Sequence, residues 1–429
     1  MFKNLINAFK TKEVRVKLLL TLLLLLIYRV GCFLPIPGLQ ASSLVDVTTN
    51  NSFLGLLNSI SGGSLSNGAF LALGVSPYIS SSIIIQLLSI AIPSWQRLSK
   101  EGEEGRKKMA KYTRVCALIL SIAQAVGIVI GFSDIIDTNA LWAGCPAWVI
   151  SMFVAITLIA GGMFTVWLGE RISDIGVGNG LSLLIFVGIL ASAGTALINS
   201  FAGLSTNINN LWSIIIFLVA LVLIFALIVF VDGAERKVPV QYAKQIKGRK
   251  MYGGQSTNIP IRVNATGVMP IIFASALLTF PQLIMSIFWP NSSAMAWYNT
   301  YMGAGSWVNI VLTALLILFF SYFYSQITFN PEDISKQMQQ NGGYIPGIRP
   351  GKPTAEHLKK ISNRVILFGA IFLAFIALIP NLVFKGIGNT ALVNGFSATG
   401  LLIVVSVALE FDKQLEAQLL MRNYRGFLK

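Results

Sequence analysis

The sequence predicts an all-α, polytopic membrane protein with ten transmembrane helices. Three observations support this prediction: the composition, the lengths of the apolar runs and the placement of positive charge. Of the 429 residues, 55% are hydrophobic and only 11% are charged, and the mean hydropathy is +0.72. Such proportions are typical of chains that cross a bilayer several times.

Ten apolar runs come close to the roughly 20 residues that a helix needs to cross a bilayer. They cover residues 18–37, 69–92, 115–132, 148–168, 181–199, 211–231, 266–288, 307–327, 365–384 and 396–411. An even number divides into two sets of five that enter the membrane from opposite sides, as inverted repeats around a central path do. We therefore expect an N-terminal half over residues 1–200 and a C-terminal half over residues 201–429. No repeat is evident between the two halves at the level of residues, so this symmetry depends on the count alone.

The positive charges predict the orientation of the chain. All but two of the 32 Lys and Arg residues lie before the first run, after the last run or in every second connection between runs. The exceptions are Arg29, inside the first run, and Lys385. Because Lys and Arg are retained on the cytoplasmic side of a membrane, both termini are predicted to be cytoplasmic.

Residues 53–93 are apolar enough to enter a membrane twice, but they are interrupted in the middle. Residues 53–60 are too few to span a bilayer, and Ser61-Gly62-Gly63-Ser64 and Asn67-Gly68 follow them. Glycines at such positions favour a hinge. Irregular backbone at membrane depth is tolerated only where protein or a water-filled cavity satisfies its polar groups, so the stretch predicts a central cavity. A surface loop with an interfacial helix is the alternative.

Ionisable residues are scarce in the ten runs. Apart from Glu410, at the end of the tenth run, Arg29 is their only charged residue. Ion-coupled transporters usually place ionisable groups near the middle of the membrane, so their scarcity here argues against a transporter. An ion-coupled transporter of small solutes stays open as the alternative function, because backbone carbonyls can also bind Na⁺.

The sequence predicts neither enzyme activity nor a cofactor. An intramembrane protease would need paired Asp, a Ser with a buried His, or H-E-x-x-H, and none of these occurs in the runs. Gly176-Val-Gly-Asn-Gly180 is similar to a phosphate-binding loop, but no P-loop Lys follows it and it joins two predicted spans. Cys32, Cys116 and Cys145 match no metal-ligand spacing.

Two connections, over residues 232–265 and about 328–364, are long and basic. Several Lys and Arg on one face suit the docking of an anionic surface, such as ribosomal RNA or an acidic protein face. Ordinary orientation charge and contact with anionic lipids would explain the same residues.

A series of short motifs resembles the SecY family, the channel subunits of the bacterial Sec protein translocase. The motifs follow one another in the family's order and spacing from near the N-terminus into the tenth run. They are Phe33-Leu-Pro-Ile-Pro-Gly38, Ser61-Gly-Gly63, Ala72-Leu-Gly74, Pro77-Tyr-Ile-Ser80, Ile83-Ile-Ile-Gln86, Glu101-Gly102, Gly105-Arg106, Trp167-Leu-Gly-Glu170, Gly178-Asn-Gly180, Gln255-Ser-Thr257 and Pro346-Gly-Ile-Arg-Pro-Gly351.

The resemblance implies a protein-conducting channel that passes unfolded preproteins across the membrane and releases hydrophobic segments into lipid. Residues 52–67 would be a plug with its hinge at Gly62 and Gly63. Aliphatic side chains would form a pore ring, and polar ones a cluster at a lateral gate. The ring residues are Val75, Ile79, Ile185, Ile272 and Ile403, and the gate residues are Ser80, Gln124 and Asn264.

The resemblance also implies partners and a location in the bacterial cytoplasmic membrane. The partners are small membrane subunits of the SecE and SecG types, the motor ATPase SecA, the ribosome, signal peptides and unfolded preproteins, and anionic lipids. Motor and ribosome docking would fall on Arg349 and on a basic group in the first long connection. That group is Arg236, Lys237, Lys247, Arg249 and Lys250. A second alternative function is a non-conducting scaffold that docks ribosomes through these connections.

Overall fold

The computed structural model describes most of the chain and divides it into two compact units. The described residues are 2–40, 44–45, 55, 58–131, 146–202, 210–242, 245–247, 250–252, 256–264, 267, 269–288, 292–303, 306–387 and 398–426. Unit 1 comprises Met1–Ile215, Ala276–Asn309 and Phe384–Lys429. Unit 2 comprises Ile216–Ser275 and Ile310–Val383.

Helices make up most of the described chain. In chain order they are α1 Phe2–Lys10, α2 Lys12–Gly31, α3 Ser76–Ala91, α4 Pro93–Lys100, α5 Glu103–Gly131, α6 Ala147–Ile175, α7 Gly180–Ala202, α8 Asn210–Asp232, α9 Met269–Phe288, α10 Ser293–Met302, α11 Trp307–Thr328, α12 Pro331–Gln340, α13 Lys352–Ile387 and α14 Ala398–Gly426. Each of the ten predicted runs overlaps a helix, and the first of these helices begins six residues earlier and ends six residues earlier than predicted.

Six helical stretches of the described chain are long and apolar enough to cross a membrane. They are Glu103–Ile130, Ala147–Ile175, Gly180–Ala202, Ile214–Asp232, Trp307–Gln340 and Lys352–Leu378. Large apolar side chains on these helices are exposed, and on α8 Trp212 is 70% and Phe230 79% accessible. Water would penalise such surfaces and hydrocarbon does not, so the chain is a multi-pass membrane protein. The arrangement of ten spans in two halves stays a prediction.

The predicted span over residues 69–92 is wrong at its beginning, because the helix starts only at Ser76. Residues 69–75 form turns, and Gly74 has a φ of +53°, which a helix does not accommodate. Pro77 then lies in the first turn of α3, where its missing N–H costs nothing. The apolar side chains before it, including Leu71 and Leu73, are buried against protein. Hydropathy alone does not distinguish protein burial from lipid burial.

The turns before α3 pack into the core of unit 1. Phe70 N–H donates to the Leu34 carbonyl at 2.8 Å, and Ile36 N–H donates to the Gly68 carbonyl at 2.8 Å. These bonds join the turns to the chain that follows α2. Leu65 and Leu73 contribute to an apolar cluster with side chains of α5 and α6. The members on the two helices are Ala125, Ile128, Ile150, Val154 and Leu158.

The two long basic connections are not plain loops, since they form a small sheet in unit 2. Its strands are β1 Glu235–Tyr242, β4 Ser256–Arg262 and β5 Gly343–Tyr344, with β1 in the centre and antiparallel to both neighbours. A separate hairpin pairs β2 Gln245–Lys247 with β3 Lys250–Tyr252. The all-α prediction is therefore wrong in this part of the chain.

One apolar cluster holds the sheet against α12 and the beginning of α13. Its buried members are Val238, Val240, Ile261, Met338, Ile345 and Leu358. Helix α12 begins at Pro331, and the Asn330 side chain caps it by accepting from Glu332 N–H at 3.1 Å. The cluster makes the two connections one folded body.

The packing of α6 on residues 69–75 predicts an asymmetric effect of two glycine substitutions. A Cβ at Gly161 would overlap the Phe70 carbonyl oxygen, whereas a Cβ at Gly194 of α7 would meet nothing within 4 Å. Gly161→Ala should therefore lower stability by about 1–3 kcal/mol through overpacking. Gly194→Ala should be neutral or stabilise by up to about 1 kcal/mol, because Ala favours helix. Thermal unfolding of the detergent-solubilised full chain measures both, and equal midpoints would contradict this packing.

Candidate functional site

The interrupted stretch forms a buried hinge segment, defined here as residues 58–75. Residues 58–60 are helical and residues 61–75 form turns. Gly62 and Gly63 have φ values of +72° and +85°, a region that side chains with a Cβ rarely adopt. Gly63 N–H donates to the Asn58 carbonyl at 2.8 Å, and the Asn58 side chain accepts from Ser66 N–H at 2.9 Å. The two glycines thus make a tight reversal of the chain possible, and their role as a plug hinge stays a prediction.

Side chains from neighbouring helices satisfy the carbonyls of the hinge segment. Arg29 of α2 donates from Nη1 to the Gly62 carbonyl at 2.9 Å. Ser192 of α7 donates to the Ser59 carbonyl at 3.1 Å. Ser59 is buried, and so are Ser61 and Ser64 of the same segment. The described residues therefore favour the buried reading of this stretch over an interfacial helix.

The residues predicted for the pore ring fall in both units. Val75, Ile185 and Ile403 are buried within unit 1, and Ile79 of the same unit is half-buried. Val75 directly precedes α3, and its carbonyl accepts from the N–H groups of both Tyr78 and Ile79 at 3.1 Å. Ile272, on α9, belongs to unit 2 and is half-buried. Their role as a ring stays a prediction.

The three residues predicted for the lateral gate have different surroundings. Ser80 on α3 is half-buried, and Gln124 on α5 is buried with no hydrogen-bond partner for its Oε1 among the described residues. Asn264, in unit 2, donates from Nδ2 to Asp232 Oδ1 at 2.7 Å. Asp232 ends α8 and Asn264 follows β4, so this bond closes the base of the first long connection. No local pattern predicts this partner, which lies 32 residues away.

Arg349 lies at an exposed turn on the second long connection. Gly347 and Gly351 have φ values of +82° and +99°, which the sequence Pro-Gly-Ile-Arg-Pro-Gly accommodates. The Arg349 carbonyl accepts from the Thr354 hydroxyl at 2.8 Å, and the Gly351 carbonyl accepts from the Ser335 hydroxyl at 2.7 Å. The backbone of the turn is fixed on both sides, while the Arg349 side chain faces outward.

The basic group on the first connection is described only in part. Arg236 and Lys237 are exposed at the beginning of β1, and Lys237 Nζ lies 3.4 Å from Glu235 Oε1. Lys247 and Lys250 occupy paired positions in the β2–β3 hairpin. Arg249 lies outside the described residues.

The glycine-rich connection between α6 and α7 uses its N–H groups within the protein. Val177 N–H donates to Thr21 Oγ1 at 3.1 Å, and Gly180 N–H donates to Ser173 Oγ at 2.8 Å. Asn179 Oδ1 accepts from Leu181 N–H at 3.2 Å. A phosphate loop needs such groups free for its ligand, so the resemblance to one is superficial.

Helices α5 and α6 of unit 1 are joined by an ion pair that was not predicted from the sequence. Arg114 of α5 donates from Nε to Glu170 Oε1 of α6 at 2.6 Å. Both side chains reach solvent, so the pair contributes about 0.2–1 kcal/mol. The partners lie 56 residues apart, so no local pattern predicts the pair.

Comparison with known proteins identifies the family. The family model described as SecY matches residues 69–411. The chain belongs to the SecY family. Proteins described as protein translocase subunit SecY align along the full length: one from Halalkalibacterium halodurans is 40% identical over 100% of both chains, and one from Streptomyces coelicolor is 41% identical over 99% of both. One from Mycobacterium tuberculosis is 39% identical over 100% of both.

Solved structures of SecY-like channels share the fold. A structure described as a protein conducting channel gives a TM-score of 0.63 at 19% identity, covering 94% of this chain and 91% of that one. A second structure is described by the statement that the plug domain of the SecY protein stabilises the closed state of the translocation channel. It gives a TM-score of 0.65 at 19% identity, and it also covers 94% of this chain and 91% of that one. Membership in the SecY family confirms the predicted function, a protein-translocase channel subunit, and gives no support to the ion-coupled transporter.

Proposed function

We propose that this SecY-family chain forms a pore of ten spans in two inverted halves, over residues 1–200 and 201–429, and that residues 52–67, which include the first part of the hinge segment, form its plug. The observation that carries the proposal is the burial of irregular backbone in unit 1, held by Arg29 and Ser192. A plug must fill a space in the closed state and be able to leave it. Turns tied by a few side-chain hydrogen bonds meet both needs better than a continuous helix would.

An aliphatic ring beside the plug would form the second seal. The family resemblance assigns all five residues to the ring. Val75, Ile185 and Ile403 are buried branched side chains, and Ile79 and Ile272 are half-buried. Apolar constrictions exclude ions by dewetting, and flexible side chains deform around a passing chain without binding it. The ring therefore suits a substrate of variable sequence.

The polar residues Ser80, Gln124 and Asn264 are proposed to line a lateral gate that releases hydrophobic segments into lipid. Interhelical hydrogen bonds between such groups contribute about 1 kcal/mol each, which a signal peptide can displace. The unpartnered Oε1 of Gln124 is an acceptor available for such a bond.

The folded connections of unit 2 are proposed as the docking surface for SecA and the ribosome, with both termini on the same cytoplasmic side. Arg349 presents its guanidinium from a fixed turn, and Arg236 and Lys237 are exposed on the sheet. One solved neighbour is Sec61 in a canine ribosome–channel complex, with a TM-score of 0.60. SecE- and SecG-type subunits, unfolded preproteins and anionic lipids complete the proposed set of partners in the bacterial cytoplasmic membrane.

A non-conducting scaffold is the competing function for the basic connections. A preprotein arrested during transit distinguishes the two: a conducting channel gives crosslinks from the preprotein to the faces of the spans, such as Ile185. A scaffold would give crosslinks to the connections alone.

Deleting residues 53–66 should make the resting channel conduct ions while some secretion continues, because the aliphatic ring remains. Ion conductance in planar bilayers measures the leak, and preprotein import into vesicles measures secretion. Gly194→Ala serves as the matched control, since its site is open. Conductance at the wild-type level in the deletion variant would count against the plug.

Replacing Ile185 and Ile403 together by Ser should hydrate the constriction and raise the ion leak. The double replacement by Leu keeps volume and apolarity and should be nearly silent. Planar-bilayer conductance at matched protein levels compares the two. Equal conductance of the Ser and Leu variants would remove these residues from the ring.

Arg349→Glu should reduce SecA-driven preprotein import about tenfold or more, because a charge-assisted hydrogen bond contributes about 1.5–3 kcal/mol. Arg349→Lys should cause a smaller but measurable loss, since an ammonium cannot reproduce the planar fork of the guanidinium. Lys108→Glu, an exposed position on α5 outside both connections, makes the same charge change and should import normally. Normal import by both Arg349 variants would leave Arg349 as an ordinary orientation charge.

A further inference from the structure

Arg29 is a charged residue in an apolar helix, and its main partner is a backbone carbonyl. It lies near the end of α2, and its Nη1 donates to the Gly62 carbonyl, 33 residues further along the chain, at 2.9 Å. Its Cζ lies 4.9 Å from the centroid of the Phe33 ring, a cation–π contact. Within the described part of the chain, no carboxylate lies within salt-bridge distance of Arg29.

The backbone around Gly62 is shaped to receive the guanidinium. A Cβ at Gly62 would lie 2.7 Å from Arg29 Nη1 and 2.9 Å from the Cα of Gly188 on α7. A Cβ at Gly188 would in turn overlap the Ile60 carbonyl oxygen. Both contacts therefore require glycine, and the hinge segment fits between α2 and α7 only because side chains are missing there.

The strength of this tie follows from its charge. A hydrogen bond to an ionised donor is roughly twice as strong as a neutral one, and a half-buried guanidinium that loses its acceptor is penalised for incomplete solvation. The neighbouring tie, from the Ser192 hydroxyl to the Ser59 carbonyl, is neutral. A third contact, from the Cys32 thiol to the Ser61 carbonyl, is long at 3.8 Å and also neutral. Arg29 is thus a stronger tie to the hinge segment than either Ser192 or Cys32.

We propose that Arg29 is a positioning residue that latches the hinge segment in the closed state through the Gly62 carbonyl. The latch sets the fraction of time that the segment spends displaced, and therefore how readily the channel opens. This inference rests on the proposed function, in which residues 58–67 of the hinge segment belong to the plug.

Hydrogen exchange of the hinge amides tests the latch directly. The full-length variants, assembled with their membrane subunits in lipid nanodiscs, are compared by mass spectrometry over residues 62–70. Arg29→Met keeps the length and removes the charge, and it should speed exchange about tenfold, since exchange follows the population of the displaced state. Arg29→Lys should exchange at a rate between those of the wild type and Arg29→Met. Ser192→Ala should speed exchange less than Arg29→Met does, because the bond that it removes is neutral.

Arg15→Met is the matched control, because it makes the same change on the same helix at an exposed position. It should exchange like the wild type. Gly188→Ala should speed exchange without altering any charge, since it pushes on the Ile60 carbonyl. Wild-type exchange in both Arg29→Met and Arg29→Lys would overturn the latch. If Arg29→Met fails to assemble, as judged by gel filtration, Arg29→Lys decides the outcome.

A parallel conductance measurement separates the latch from the plug. Faster exchange in Arg29→Met without an ion leak would support the latch and argue that the hinge segment is not the seal. A leak after deletion of residues 53–66, combined with unchanged exchange in both Arg29 variants, would support the plug and reject the latch.

Discussion

The structure of unit 1 depends on one constraint: backbone carbonyls and N–H groups buried in apolar surroundings need partners. Helices meet it internally, but the hinge segment cannot, because its turns leave carbonyls without helical donors. The protein supplies donors from outside the segment, a guanidinium at Gly62 and a hydroxyl at Ser59. Gly161 of α6 and Gly188 of α7 have no side chains, so the hinge segment can approach both helices closely enough to receive these hydrogen bonds. A segment satisfied from outside can be released by breaking a few bonds, which a helix does not allow.

The apolar runs and the broken stretch were predictable from the sequence, because each leaves a local trace. Runs near 20 residues produced helices at every predicted place, and Gly62-Gly63 marked a turn. The length of apolar runs predicted a helix wrongly at residues 69–75. Side chains there are buried against α5 and α6, and they are as apolar as side chains that face lipid. The turn around Arg349 was also predictable, since Pro and Gly restrict the backbone locally.

Contacts between residues far apart in the chain could not be predicted from the sequence. The alternation of Val238 and Val240 is a strand signal, but it occupies only a few residues within a charged connection. Nothing local pairs Arg29 with Gly62, Arg114 with Glu170 or Asn264 with Asp232, since the partners lie 33, 56 and 32 residues apart. The family resemblance assigned roles to Gln124 and Asn264, yet only the structure shows that Asn264 closes the base of a folded connection.

The sheet of unit 2 has a consequence for biosynthesis. Its central strand β1 and its edge strand β5 pair across a long stretch of chain, since the paired residues Gln241 and Tyr344 lie 103 positions apart. At roughly 5–20 residues per second, a ribosome needs about 5–20 s to make the intervening chain. During that time one edge of β1 lacks its native neighbour, and an open strand edge is a template for wrong pairing. The exposed charges of Glu235, Arg236 and Lys237 at the start of β1 oppose such pairing. Arg236 and Lys237, two residues of the proposed docking surface, therefore also protect the nascent protein.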